Sequence, residues 1–181
     1  MTIDRRVKRT QRLLAEALIS LTLEKGYAAV SIRDITERAD VAYATFFRHY
    51  TDKEALLDEV VEVILDDMSQ LLQPGFVEAP VATGSRIFAY VQAHSELCRV
   101  LLGSEGKARL FQLLQTTRQD FPRLSAPSQI PPEIASHHFM SASIELIQWW
   151  LDHDMPYPPE QMGQIFATLI ILPSQAVSES S

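Results

Sequence analysis

The sequence predicts an all-α protein: a three-helix N-terminal head followed by a larger helical body. Three observations carry that expectation. Apolar residues recur at spacings of three and four through most segments, and no segment shows the period of two that a strand requires. Gly and Pro fall between the periodic segments, where they punctuate helices. Residues 30–57, VSIRDITERADVAYATFFRHYTDKEALL, read as two short helices joined by a tight turn, then the start of a third.

The first helix is expected over 4–25. Leu13, Leu14, Ala17, Leu18 and Leu21 form its apolar stripe, and Gly26 stands just past its end, where a C-cap favours glycine. Arg5, Arg6, Lys8, Arg9 and Arg12 precede or flank the stripe. They read either as an arm that touches a nucleic-acid backbone or as a solvated terminus. Ser31 is a good N-cap, and Asp34 three residues on completes a capping box with Asp in place of Glu. Ile32, Ile35 and Ala39 share one face of the second helix. Asp40 suits the turn, because Asp tolerates the left-handed conformation. The third helix, 42–49, buries little beyond Val41 and Phe46. Tyr43, Ala44, Thr45, Phe47 and Arg48 are left outward, an aromatic and cationic face that needs a partner surface such as a DNA major groove. Thr51 or Asp52 caps a long helix over 51–72, with Lys53 beside the cap and Ala55, Leu56, Val60, Val63, Ile64, Met68 and Leu71 in register.

QPGFVEAPVATGS then reads as a linker, and the body is expected from about Ser85. Helices follow over 85–102 and 108–121, interrupted at Gly103 and Gly106, with a second loop from Pro122 to Pro132. The helix over 133–153 carries two apolar stripes: Met140, Ile144, Ile147 and Leu151, and also Phe139, Leu146 and Trp150. MPYPP turns the chain back into a last helix over 160–172, with Met162, Ile165, Phe166 and Leu169. A helix that is apolar on two faces must bury both. This hairpin reads as half of a four-helix dimer interface or as an ordinary core hairpin. Residues 174–181 read as a disordered tail.

The totals, 46% hydrophobic and 22% charged with one cysteine, are those of a soluble protein with no internal disulfide, which suits a reducing cytoplasm. No apolar run is long enough to span a membrane, and the N-terminus lacks the apolar segment of a secretory signal. Residues 1–53 carry 10 Lys/Arg against 7 Asp/Glu, whereas the rest carries 6 against 16. A basic head on an acidic body directs the head toward a polyanion. No phosphate loop, nucleophile elbow or zinc spacing occurs, so neither catalysis nor a cofactor or metal is expected. His94 and Cys98, four apart, are too few for a zinc site and read as core or pocket residues. Trp149 and Trp150 read as ligand-stacking or as core.

Gly26-Tyr27, Ser31-Ile32-Arg33-Asp34-Ile35, Ala39, Val41, Thr45, Phe47-Arg48-His49-Tyr50 and Lys53-Glu54-Ala55-Leu56 together resemble the helix-turn-helix of the tetracycline-repressor (TetR) family, over roughly residues 8–60. The chain departs from that pattern at Asp40, where Gly is usual, at Ala42, where Ser is common, and at Phe47, where a Tyr usually reaches a phosphate. The resemblance implies a DNA-binding domain over 1–53, a linking helix and loop over 54–84, and an effector-binding and dimerisation domain over 85–173. It implies a cytoplasmic transcriptional repressor that binds double-stranded DNA at a palindromic operator as a homodimer and is released by a small molecule. DNA contacts are then expected from Arg5, Arg6, Ser31, Arg33, Ala42, Tyr43, Ala44, Thr45, Phe47, Arg48, His49 and Lys53. Arg33 reads either as a base contact or as an ion-pair partner of Glu37. An effector pocket is expected from Met68, Phe88, His94, Cys98, Phe111 and Trp149, and a dimer interface from Met140, Ile144, Ile147, Leu151, Met162, Phe166 and Leu169. The competing reading is a dimeric helical interaction protein without operator binding.

Overall fold

A computed structural model describes residues 5–71, 79–116 and 130–173. Every regular element among them is helical: α1 Arg5–Lys25, α2 Ile32–Arg38, α3 Tyr43–Phe46, α4 Lys53–Leu71, α5 Pro80–Ala93, α6 Ser95–Leu102, α7 Ser104–Thr116, α8 Pro132–Asp152 and α9 Pro159–Phe166. A 3-10 turn at Tyr27–Ala29 and a π-helical extension at Ala167–Ile171 complete the set. The contacts divide the chain into two compact units, residues 1–64 with 96–116, and 65–95 with 117–181. No described helix is long and apolar enough to cross a membrane. The expected tail, the end of the expected helix at Phe121 and most of the second loop lie outside the described residues.

In the first unit α1 stops where Gly26 takes φ 79°, a conformation that costs glycine little. The expected capping box opens α2: the Ser31 hydroxyl accepts from the Asp34 N–H at 3.2 Å, and the Ser31 N–H donates to Asp34 Oδ2 at 2.8 Å. The chain then turns through Asp40 at φ 53°. Leu14, Leu18, Ile35, Phe46, Leu56, Leu57 and Val61 fill the core, each almost fully buried. Polar straps lie over it. Arg38 grips Glu24 through two bonds of 2.7 and 2.8 Å, Lys25 reaches Asp34 at 2.9 Å, and Arg109 reaches Asp58 at 3.2 Å.

The second unit is built on a close crossing of α5 and α9. A Cβ on Gly84 would lie 2.9 Å from the Gly163 Cα, and one on Gly163 would lie 2.4 Å from the Ser85 backbone nitrogen, so only glycine fits either position. Phe88, Trp150 and Phe166 meet edge-to-face beside the crossing, with centroids 5.1 and 6.1 Å apart. The Trp150 indole N–H, which would be costly to bury unpaired, donates to the Tyr157 carbonyl at 2.9 Å.

Three expectations change. The third helix is a single turn, Tyr43–Phe46, prolonged by tight turns through His49, and does not fill 42–49. The linker is shorter than expected, since Pro80 starts α5 from a first-turn position that needs no N–H donor. The single helix expected over 85–102 breaks at His94, whose backbone leaves the helical region (φ −119°, ψ 34°) and whose ring packs on Tyr90 at 4.4 Å. Beyond that break α6 and α7 group by contacts with residues 1–64.

Candidate nucleic-acid interface

α2, the Asp40 turn and α3 present one outward surface. The Arg33 side chain is 81% exposed, and Glu37 approaches it only at 3.9 Å, a loose ion pair worth little in solvent. Tyr43 is 54% exposed and Phe47 48%, and their rings meet edge-on at 5.3 Å. Phe46, their inward neighbour, is fully buried and touches Phe47 at 5.4 Å, so the outer pair is braced from below by the core. Ala42, Ala44 and Arg48 are exposed, while Thr45 and His49 are half-buried. Ala42 is the N-cap of α3 and, having no side-chain acceptor, leaves that helix start without a side-chain cap.

Two of the expected DNA contacts, Ser31 and Lys53, have work inside the protein. The Ser31 hydroxyl donates to Asp34 Oδ2 at 2.6 Å while accepting from the Asp34 N–H. That hydroxyl and Lys25 hold the Asp34 carboxyl far below the usual carboxylate range. The Lys53 ammonium donates to the Tyr27 and Val30 carbonyls, both at 2.9 Å, and lies 4.1 Å from the Tyr27 ring centroid. It therefore closes the carbonyl end of the 3-10 turn, with one of its three hydrogens left over. At the start of α1, Arg5 and Arg6 are exposed. Arg6 also lines a groove with Arg9, Thr10, Leu13, Ala39 and Asp40, which brings the cations of α1 beside the helix-turn-helix turn. Arg9, one of the cations expected in a backbone-touching arm, therefore stands on this groove with Thr10, as the three-and-four spacing of 6, 9, 10 and 13 on one face of α1 allows.

Residues 14–60 match the bacterial regulatory proteins of the TetR family, and residues 83–172 match a transcriptional regulator C-terminal region. The chain belongs to the TetR family. It is 27% identical over 172 residues to the uncharacterized HTH-type transcriptional regulator YxbF of Bacillus subtilis, covering 91% of this chain and 45% of that protein. It is 29% identical over 80 residues to the HTH-type transcriptional repressor DhaR of Mycobacterium sp., covering 44% of this chain and 40% of that one. A solved TetR transcriptional regulator from Streptococcus agalactiae is 25% identical with a TM-score of 0.67, over 92% of this chain and 96% of the other. The TetR-family chain thus spans less than half the length of those curated relatives and nearly all of that solved one.

The six residues expected to line an effector pocket fall in both units. Cys98 and Phe111 belong to the first unit, and Met68, Phe88, His94 and Trp149 to the second. Phe88 is fully buried between Trp150 and Phe166. The Trp149 ring points outward, 43% exposed, and stacks on His153 at 4.5 Å. Because the helix breaks at His94, no one helix carries His94 and Cys98: the imidazole is exposed, and the thiol is buried, which pushes its pKa up to about 12. Of the expected interface residues, Ile144, Leu151, Met162 and Phe166 are 5% exposed or less within one protomer. These four side chains are covered by the chain's own residues. Met140 and Ile147 are half-buried, and Leu169 is 64% exposed.

Proposed function

We propose that this TetR-family chain is a sequence-specific DNA-binding repressor that acts as a homodimer on a palindromic operator and is released by a small molecule. The observation that carries the reading is the outward Tyr43–Phe47 aromatic pair with Arg33 and Arg48 alongside. It is a cationic and aromatic surface held on a capped, core-braced helix-turn-helix. A single-turn α3 reaches few base pairs, so a second copy supplies the rest of the specificity, with half-sites about one helical turn or a multiple apart. Repression is supported by the similarity to DhaR, a transcriptional repressor, over the part that it shares with this chain.

The test is capture of genomic fragments by the purified full chain, followed by anisotropy on the recovered sequence and on random DNA across a salt series. Arg33→Ala is expected to lose discrimination at one base position, about 1–3 kcal/mol if the guanidinium reads a guanine edge. An equal loss on every sequence assigns Arg33 to the backbone. Failure to enrich any fragment favours the interaction-protein reading.

A further inference from the structure

The first unit forms a half-open cavity of about 270 Å³ between the end of α1, the 3-10 turn, α4 and the corner where α6 meets α7. Glycine keeps it open. A Cβ on Gly26 would meet nothing within 4 Å, and the φ of 79° there disfavours any side chain. A Cβ on Gly106 would lie 2.5 Å from the Val100 carbonyl oxygen, so that wall stays bare. Leu57, Val100 and the Tyr27 ring supply apolar wall, and Arg99 supplies a guanidinium. Thr22, also in the wall, has a buried hydroxyl with no hydrogen-bond partner among the described residues. A void lined only by hydrocarbon stays dry and needs no occupant. This one combines a cation, an orphaned hydroxyl and apolar walls, which is the composition of a small polar-headed ligand's site.

We propose that this cavity binds a small monocarboxylate with a short apolar body. The carboxylate pairs with Arg99, whose fork of donors matches it, and accepts the Thr22 hydroxyl. The apolar end lies on Leu57, Val100 and the Tyr27 ring. The volume falls just below the range of drug-sized pockets, which suits a ligand of benzoate size. Because its walls come from α1 and α4 on one side and α6 and α7 on the other, an occupant ties the head helices to the α6–α7 corner within one unit.

The inference stands apart from the operator reading, because binding is read on the free protein. The full chain, labelled with ¹⁵N, is titrated with sodium benzoate while the glycine amides are followed. Saturable shifts are expected at Gly26, Gly103 and Gly106, with Gly84 and Gly163 still. Arg99→Gln and, separately, the isosteric Thr22→Val are expected to weaken binding, the former by about tenfold or more through loss of a charged pair. Benzamide, neutral and of the same shape, is expected to bind far more weakly. Three results would overturn the proposal: no saturable shift at tens of millimolar benzoate, an unchanged affinity in a folded Arg99→Gln protein, or the same shifts from inorganic phosphate alone.

Discussion

Lys53, expected to touch DNA, has partners inside the protein. Two charge-assisted bonds to the Tyr27 and Val30 carbonyls make it a structural residue before it is a phosphate contact. Lys53→Ala is expected to lower stability by about 1.5–3 kcal/mol in denaturant unfolding, the usual range for hydrogen bonds to a charged group. It should also weaken operator and random DNA alike, with a salt slope shallower by about one unit. A purely DNA-facing lysine would leave stability unchanged. Asp34 gives a pH-dependent counterpart. Its carboxyl is depressed below the ordinary value of 3.8 by the Ser31 hydroxyl first and Lys25 next. A depressed folded value means that the stabilisation is present above the unfolded pKa and is lost as pH falls below about 4 toward the folded value. Thermal melts from pH 7 down to pH 2 should therefore show a shallower acid limb for Asp34→Asn than for the parent. The capping box itself was legible in the sequence, because Ser31 and Asp34 act over three residues. The partners of Lys53 were not, because they come from a turn more than twenty residues earlier.

Punctuation was easier to read than phase among the elements. Gly26 ends α1 and Asp40 makes the helix-turn-helix turn as expected, since each position demands a left-handed backbone and few residues accept one. Asp40→Gly is expected to raise stability by about 0.5–1 kcal/mol, because Asp in that conformation bears part of the left-handed penalty that Gly does not. Asp40→Val should lower it, and urea midpoints decide both. The break at His94 was hidden because Val91 and Cys98 lie seven apart, in phase across the break, and an apolar period does not record a change of axis. α8 presents the same difficulty in another form. Two stripes were visible, but periodicity does not say which faces inward. Packing decides it, placing Ile144, Leu151 and Trp150 inside and Trp149 out.

For the whole molecule that assignment separates two substitutions that the sequence made equivalent. Phe166→Asp buries an unpaired charge in the protomer core and is expected to unfold the second unit, seen as lost helicity at 25 °C. Leu169→Glu, at a side chain 64% exposed, should leave helicity unchanged and, for the proposed dimer, shift sedimentation to the monomer and abolish operator binding. A Leu169→Glu protein that remains dimeric places the interface elsewhere. The two tryptophans of the chain are consecutive, yet one indole is sealed against Phe88 with its N–H on a carbonyl and the other lies open between two stacked rings. Intrinsic emission is therefore the sum of a blue, quencher-resistant band and a red, quencher-accessible one. With Trp149→Phe the remaining light reports packing of the α5–α9 core. With Trp150→Phe it reports whatever covers the outer face of α8, so core unfolding and partner docking can be followed separately in the two variants.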